Sequence, residues 1–472
     1  MFVHIKKHIS ILCIFILCYA IPVYCREQSM YNEDPDIEIL SQITRKERRK
    51  KLTFLCYMAA DNDLAPFADR NLEQMSTVGS NENINIIVHL DIRKKGDTQT
   101  RTKITKRLIV QKGHIEQVGQ TSCMDSGLAE TVIDAATWAI RDFPSDDLII
   151  VFWNHGSGCL NPRVGRIINP AELFSYSQDS NLIVLDRSIG FIDYIHKTVK
   201  ECEQGRGICF DETTGHYLDD VKLTRALQEI TRIRGKKIDL IIFDACLMAA
   251  TEVACLISPY CNYMTASEEV ELGTGYDYNK VLSIAANHYT NAHDFACHIV
   301  DVFEETYNNI THDYTHSAVD LSKYNNLDIS TNALAQALLA ALPYDYSRQL
   351  INSIKKSKSR LNCTHFNEPS YIDFHHFCCN LLQNIIRDDT ALQKNAQLYT
   401  HINTIKAQVN SCIKNINDMV IRNVAGQNLA KAGGLSIYFP TDFYDASYPE
   451  TIFGQHNSWR EFLEVFLRIS NN

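Results

Sequence analysis

Four short apolar runs mark the first half of the chain: LTFLCYMAA (52–60), INIIVHLDI (84–92), DLIIVFW (147–153) and IDLIIF (238–243). Each is too short and too uniformly apolar to be an amphipathic helix. Such runs read as strands buried on both faces. Between them the apolar residues recur with helical spacing. The spacing predicts helices over Leu64–Met75, Gly127–Asp142 and Asp219–Thr231, the second with Leu128, Val132, Ala135, Ala136 and Ala139 on one face. Residues 101–111 and 114–118 predict a small hairpin. Apolar strands alternating with amphipathic helices predict an α/β fold, a mainly parallel central sheet covered on both faces. In such sheets ligands bind beyond the carboxyl ends of the strands.

The second half is less regular. Phe295–Tyr307, Leu327–Leu342, Tyr346–Ser357 and Leu392–Ile413 read as helices, and Thr315–Leu321, Val420–Val424 and Leu435–Phe439 as strands. The pattern fits a mixed helix and strand extension (291–472) that either completes and covers the sheet or forms a separate subdomain. His375-His376 beside Cys378-Cys379 has metal-ligand residue types. Their setting between YIDF and LL reads instead as the start of a helix, where adjacent histidines face different directions.

The first residues change the picture of where the protein works. Lys6 and Lys7 precede an apolar stretch, Ile9–Tyr19, too short to span a bilayer comfortably, and Cys18-Tyr19-Ala20 is an acceptable cleavage site. Residues 1–20 therefore read as a signal peptide, with an uncleaved anchor as the alternative, and the expected location is secreted or periplasmic. Residues 21–51 are polar, acidic first and then basic, and read as a linker or pro-segment. Export allows disulfides among the 16 cysteines. Cys123, Cys159, Cys202, Cys209, Cys261, Cys297, Cys363, Cys378, Cys379 and Cys412 are candidates with no pairing fixed. No Cys-x-x-Cys pair recurs at zinc-site spacing. The formal net charge of −10 argues against a mainly electrostatic nucleic-acid binder.

Two strands run directly into chemistry. The third apolar run leads into Asn154-His155-Gly156-Ser157-Gly158, and the fourth into Asp244-Ala245-Cys246, where a helix is expected to begin. If these strands are neighbours, an imidazole and a thiol share one crevice. A helix N-terminus or an imidazolium would lower the thiol pKa. The Gly156 and Cys246 N–H groups are placed to form an oxyanion hole, and His155 to protonate a leaving amine. Taken singly, a cysteine after a strand is usually core and a histidine before glycine a turn residue. Cys56 and Cys255 read as core, and Cys159 as a disulfide candidate.

With these residues in view, the chain resembles the clostripain family of cysteine peptidases. The resemblance runs through FLCYMAADNDL (54–64), NINIIVHLDIR (83–93), WNHGSG (153–158), FDACLMA (243–249), YMTASEEVELGTGYDY (263–278) and GLSIYFP (434–440). It implies a caspase-like three-layer sandwich over 52–290 and a His155/Cys246 dyad. It also implies an endopeptidase cutting protein or peptide substrates after Arg or Lys at P1, with Asp244 in the S1 pocket. Relatives often carry a second acid in the loop that here reads SEEVELGTGYD. Neutral Thr274 stands between its glycines, and Glu269, Glu271 or Asp277 is expected to substitute. Relatives commonly cut themselves between the histidine and cysteine blocks. Arg163, Arg166, Arg187, Lys197, Lys200 and Arg206, in or beside the insertion 160–205, are the candidates here, giving a monomer or a two-chain form. No cofactor is required and no metal ligands are assigned. Calcium, which activates some relatives, is an optional expectation. Neither nucleic acid nor, after signal removal, a membrane is expected as a partner. The competing readings are a catalytically silent secreted binding module and an acyltransferase using the same nucleophile.

Overall fold

The computed structural model describes residues 49–93, 102–160, 173–186, 207–346, 348–388, 392–441 and 444–470. All of them belong to one unit, Arg48–Asn472. The signal peptide, most of the linker and the six candidate self-cleavage residues lie outside the described residues.

A nine-stranded sheet organises the unit. Its strands in chain order are β1 (Lys50–Ala60), β2 (Ile84–Arg93), β3 (Lys103–Gln111), β4 (His114–Ser122), β5 (Ser145–Trp153), β6 (Ile238–Asp244), β7 (Cys261–Ala266), β8 (Thr315–Asp320) and β9 (Val420–Ala425). Across the sheet they run β9-β8-β7-β6-β5-β1-β2-β3-β4. The five central strands β7, β6, β5, β1 and β2 are mutually parallel. An antiparallel pair flanks them on each side, β8 and β9 at one edge and β3 and β4 at the other.

Uniformly apolar strands fit because both faces of the parallel region are covered. In β1, Leu55, Tyr57 and Ala59 enter one core, while Phe54, Cys56 and Met58 enter the other. On the first face lie α2 (Ala129–Asp142), α3 (Asp220–Arg234) and α4 (Thr251–Ile257). On the second lie α1 (Ala65–Val78), α5 (Tyr278–His288) and α6 (Ala292–Tyr307). Phe152 and Phe243, neighbours across β5 and β6, stack with ring centroids 5.9 Å apart inside the first core. Burying one such ring contributes about 1.5–3 kcal/mol.

The second half of the chain joins this architecture. Strands β8 and β9 extend the sheet itself, and α7 (Tyr324–Ala341), α8 (Gln349–Lys358), α9 (Phe374–Arg387), α10 (Ala396–Met419) and α11 (Trp459–Ser470) share the first core. The His375-His376 and Cys378-Cys379 pairs fall on α9, as their setting predicts. The hairpin is longer than expected, with Gln111 opposite His114 and Thr105 opposite Ser122. The twelve cysteines among the described residues are free thiols. Among those residues no helix is long and apolar enough to cross a membrane.

Candidate active site

Register decides what meets at the carboxyl edge of the sheet. Asp244 of β6 lies opposite Trp153 of β5, and Trp153 lies opposite Met58 of β1. The three chains then leave the sheet side by side, as Asp61-Asn62-Asp63, Asn154-His155-Gly156 and Ala245-Cys246-Leu247. Asn154 locks the exit, because its amide donates to the Ala59 and Phe210 carbonyls and its Oδ1 accepts from Phe210 N–H at 2.9 Å.

The histidine and cysteine loops touch. A Cβ built on Gly156 would lie 2.6 Å from the Cys246 carbonyl oxygen and 2.8 Å from Met248 Sδ. Glycine is therefore required at 156 by close approach to the cysteine's own backbone. An isolated antiparallel bridge pairs Gly156 with Ile208 and is closed by Ser157 N–H donating to Gly207 C=O. That pattern leaves the Gly156 N–H outside the ladder. Tyr371 braces the loop from the far half of the chain. Its hydroxyl donates to the Ser157 carbonyl at 2.8 Å and accepts from Cys159 N–H at 2.8 Å.

His155 and Cys246 line one pocket of about 250 Å³. Its polar lining includes Asp63, Asp244 and Glu271, and its apolar walls include Leu64, Phe67, Trp153, Phe174 and Leu272. His155 Nε2 lies 2.7 Å from Asp63 Oδ1. Asp63 had no assigned role in the sequence, where DND reads only as a turn. Its signal was position, the second carboxylate beyond a strand that neighbours β5.

Cys246 differs from expectation. The helix after it begins only at Thr251, so the thiol does not sit at a helix N-terminus. The chain turns instead through Leu247, whose φ is +64°, and Leu247 N–H donates to the Glu269 carbonyl at 3.2 Å. A left-handed non-glycine residue stores strain next to the sulfur. Cys246 Sγ accepts from Glu271 N–H at 3.2 Å. Burial, reinforced by the charges of Glu271, Glu269 and Asp244, pushes the thiol well above its ordinary pKa. The resting group is thus a thiol, not a preformed thiolate.

Asp244 is not a helix cap. Its Oδ2 accepts from Tyr278 OH at 2.6 Å, and a Cβ on Gly275, whose φ is +58°, would lie 2.7 Å from both carboxylate oxygens. Burial pushes this carboxyl up to about 7, against the lowering effect of the Tyr278 and Tyr276 hydrogen bonds.

The other two expected substrate contacts lie elsewhere. Glu269 does not line the pocket; its Oε1 accepts from Val270 N–H at 2.9 Å and Asn367 N–H at 2.8 Å. Thr274 does not line it either, and its hydroxyl lies 3.4 Å from Tyr307 OH. Asp277 caps α5 by accepting from Lys280 N–H. Glu271 is the acid of this loop that reaches the pocket. Among the described residues no group of three or more His, Cys, Asp or Glu is arranged to hold a metal ion. Lys103 instead pairs with the buried carboxylates of Asp91 and Asp211.

A mainly parallel sheet, covered by helices on both faces and bringing an imidazole and a thiol to neighbouring strand ends, has the architecture of the caspase-like class of α/β folds. The model of the clostripain family matches residues 56–168 and 172–466, and the chain belongs to that family. Clostripain of Hathewaya histolytica is 24% identical over 302 residues, which is 58% of this chain and 50% of that protein. The chain thus spans about half the length of this curated relative. A solved structure of a secreted C11 cysteine protease from Bacteroides thetaiotaomicron, in complex with an irreversible peptide inhibitor, aligns with a TM-score of 0.51 at 20% identity, covering 88% of this chain and 99% of that one. An inactive zymogen C11 protease from Parabacteroides distasonis aligns with a TM-score of 0.53 at 17% identity, covering 88% and 98%. At these identities the likeness establishes the fold.

Proposed function

We propose that the chain is a cysteine endopeptidase that cuts after Arg or Lys. The observation that carries this reading is the delivery of Asp63, His155 and Cys246, by three adjacent strands, into one pocket that also contains the Asp244 carboxylate. Cys246 Sγ attacks the scissile carbonyl carbon as its proton passes to His155. The raised thiol pKa makes that transfer part of the attack. The Gly156 and Cys246 N–H groups hold the oxyanion. His155 returns the proton to the leaving amine, and water then releases the acyl group from sulfur. Asp63 orients the imidazole through Nε2. Phe67, Leu272 and Trp153 offer apolar surface to the stem of a long P1 side chain, and Asp244 an acceptor to its cation.

A positional-scanning peptide library run on wild type and Cys246→Ala tests the reading. We expect cleavage after Arg or Lys that the variant abolishes; faster turnover of Asp or Asn at P1 rejects it. Self-cleavage after Arg163, Arg166, Lys200 or Arg206 belongs to the same proposal. Supporting it, Leu173 and Phe174 of the insertion line the pocket. Denaturing gels should show two fragments for wild type and one chain for Cys246→Ala. Export through residues 1–20 is read by fractionating cells that express the full chain and sequencing the mature N-terminus.

A further inference from the structure

The loop 267–271 that follows β7 carries the nucleophile. Leu247 N–H donates to the Glu269 carbonyl at 3.2 Å and Ala249 N–H to the Ser267 carbonyl at 2.9 Å, so the turn after Cys246 hangs on this loop. Glu271 N–H reaches Cys246 Sγ itself at 3.2 Å. Glu268, in the same loop, does not line the pocket. It is buried, and its Oε2 accepts from Gly434 N–H at 3.2 Å. No donor reaches its Oε1. The group beside it is the Asp373 carboxylate, itself fully buried. Asp373 Oδ1 accepts from His376 N–H at 2.5 Å, and Oδ2 from Gly433 N–H at 2.5 Å. Two acceptors in contact need a hydrogen between them. Asp373 already holds a backbone N–H on each oxygen, which favours its charged form. The hydrogen therefore belongs to Glu268, as an O–H donated to Asp373.

We propose that Glu268 is a positioning residue for Cys246: its carboxylic O–H clamps the 267–271 loop to Asp373, and loss of that proton to solvent opens the clamp. The inference rests on the peptidase reading above and adds a residue outside the pocket. While the proton is present, the two side chains carry one charge and share one hydrogen bond. Once it is lost, two carboxylates face each other in the core, where their repulsion is poorly screened. The loop then retreats from Asp373 and takes its three bonds to the nucleophile turn with it. Burial and the Asp373 charge push the Glu268 carboxyl well above its ordinary pKa. The clamp therefore stays closed beyond the pH at which an ordinary glutamate ionises and opens as pH rises further. The other titratable groups facing the pair are Glu269, Cys363, His375, Cys378 and Cys379. Of these only His375 can carry positive charge, and it acts on Asp373, which keeps the proton on Glu268.

The test compares the full chain as wild type, Glu268→Gln and Glu268→Ala by hydrolysis of a fluorogenic Arg-P1 peptide from about pH 6 to about pH 10. The glutamine amide donates to Asp373 at every pH, and its carbonyl still accepts from Gly434 N–H. We expect kcat/KM of Glu268→Gln relative to wild type to rise with pH, about tenfold for each unit above the titration of the pair. Glu268→Ala has no clamp. Its kcat/KM at the acid end should fall roughly a hundredfold, the loss expected for a misplacement of about 1 Å, and glutamine should restore it. If alanine unfolds the chain, seen in a thermal melt, the ratio of the glutamine variant to wild type still decides. A ratio that does not change with pH, or a glutamine variant as impaired as the alanine one, overturns the clamp and leaves the peptidase reading standing. Failure of wild type to hydrolyse the Arg-P1 peptide or any member of the library overturns the peptidase reading and the clamp with it.

Discussion

Replacing Gly156 by alanine tests the contact on which the whole site depends. The added methyl would lie 2.6 Å from the Cys246 carbonyl oxygen and 2.8 Å from Met248 Sδ. Carbon and carbonyl oxygen ordinarily meet at about 3.3 Å or more, so one must retreat by about 0.7 Å. The methionine sulfur ends a flexible chain and can swing aside. The carbonyl cannot, because it belongs to the nucleophile's own residue, between β6 and the left-handed Leu247. The relief must come from separating the two loops. Overpacking of this kind costs about 1–3 kcal/mol. A misplacement approaching 1 Å costs roughly a hundredfold in rate, so a thirty- to hundredfold fall in kcat/KM is expected. The assay is hydrolysis of a fluorogenic Arg-P1 peptide, with a thermal melt to show that the protein remains folded. Adding Met248→Ala removes the sulfur clash but not the carbonyl clash, so the double variant should stay impaired. A Gly156→Ala protein with activity within threefold of wild type and an unchanged melt would refute the described approach of the loops.

Three further predictions follow from the same geometry. Asp63→Asn removes the carboxylate 2.7 Å from His155 Nε2. A charge-assisted bond is worth about 1.5–3 kcal/mol, and solvent at the partly exposed Asp63 favours the lower end, so about a tenfold loss in kcat/KM is expected with only a small fall in melting temperature. The Asp244 carboxyl, raised to about 7, holds its proton in the folded chain where the unfolded chain, near 3.9, has lost it. Its ionisation therefore destabilises the fold as pH rises from about 4 through 7. Asp244→Asn should melt higher than wild type at pH 8 and alike at pH 4, while losing Arg-P1 hydrolysis; a lower melt at pH 8 would contradict the assignment. Tyr371→Phe removes the donor to the Ser157 carbonyl, which keeps only a long bond from Leu160 N–H, and the acceptor for the Cys159 N–H; it should cost about 1–3 kcal/mol, seen as a lower denaturation midpoint at constant m.

How far the sequence could carry these conclusions depends on the range of each interaction. The runs that became β1, β2, β5 and β6 were legible because both faces of a parallel strand are buried, so the apolar run needs no partner to be recognised. The ends of β5 and β6 were legible for the same reason, and with them His155 and Cys246. What followed Cys246 was not. LMAATEVA has the composition of a helix, yet the first half of it is drawn into a turn by Leu247 N–H to Glu269 and Ala249 N–H to Ser267, bonds to the next strand's exit loop. That loop in turn decides which acid faces the pocket. Glu269 is taken by the Asn367 N–H, from nearly a hundred residues away, so its carboxylate is spent on structure. Glu271, two positions on, receives no such donor and lines the pocket. Strand alternation cannot separate the two, because both lie beyond the end of β7, and no local pattern distinguishes an acid with a distant partner from one without. The same holds for β8 and β9, whose strand character is local but whose antiparallel addition to the sheet is not. Residue types for the chemistry are thus written at strand ends, whereas the choice among like residues is made by backbone donors arriving from the other half of the chain.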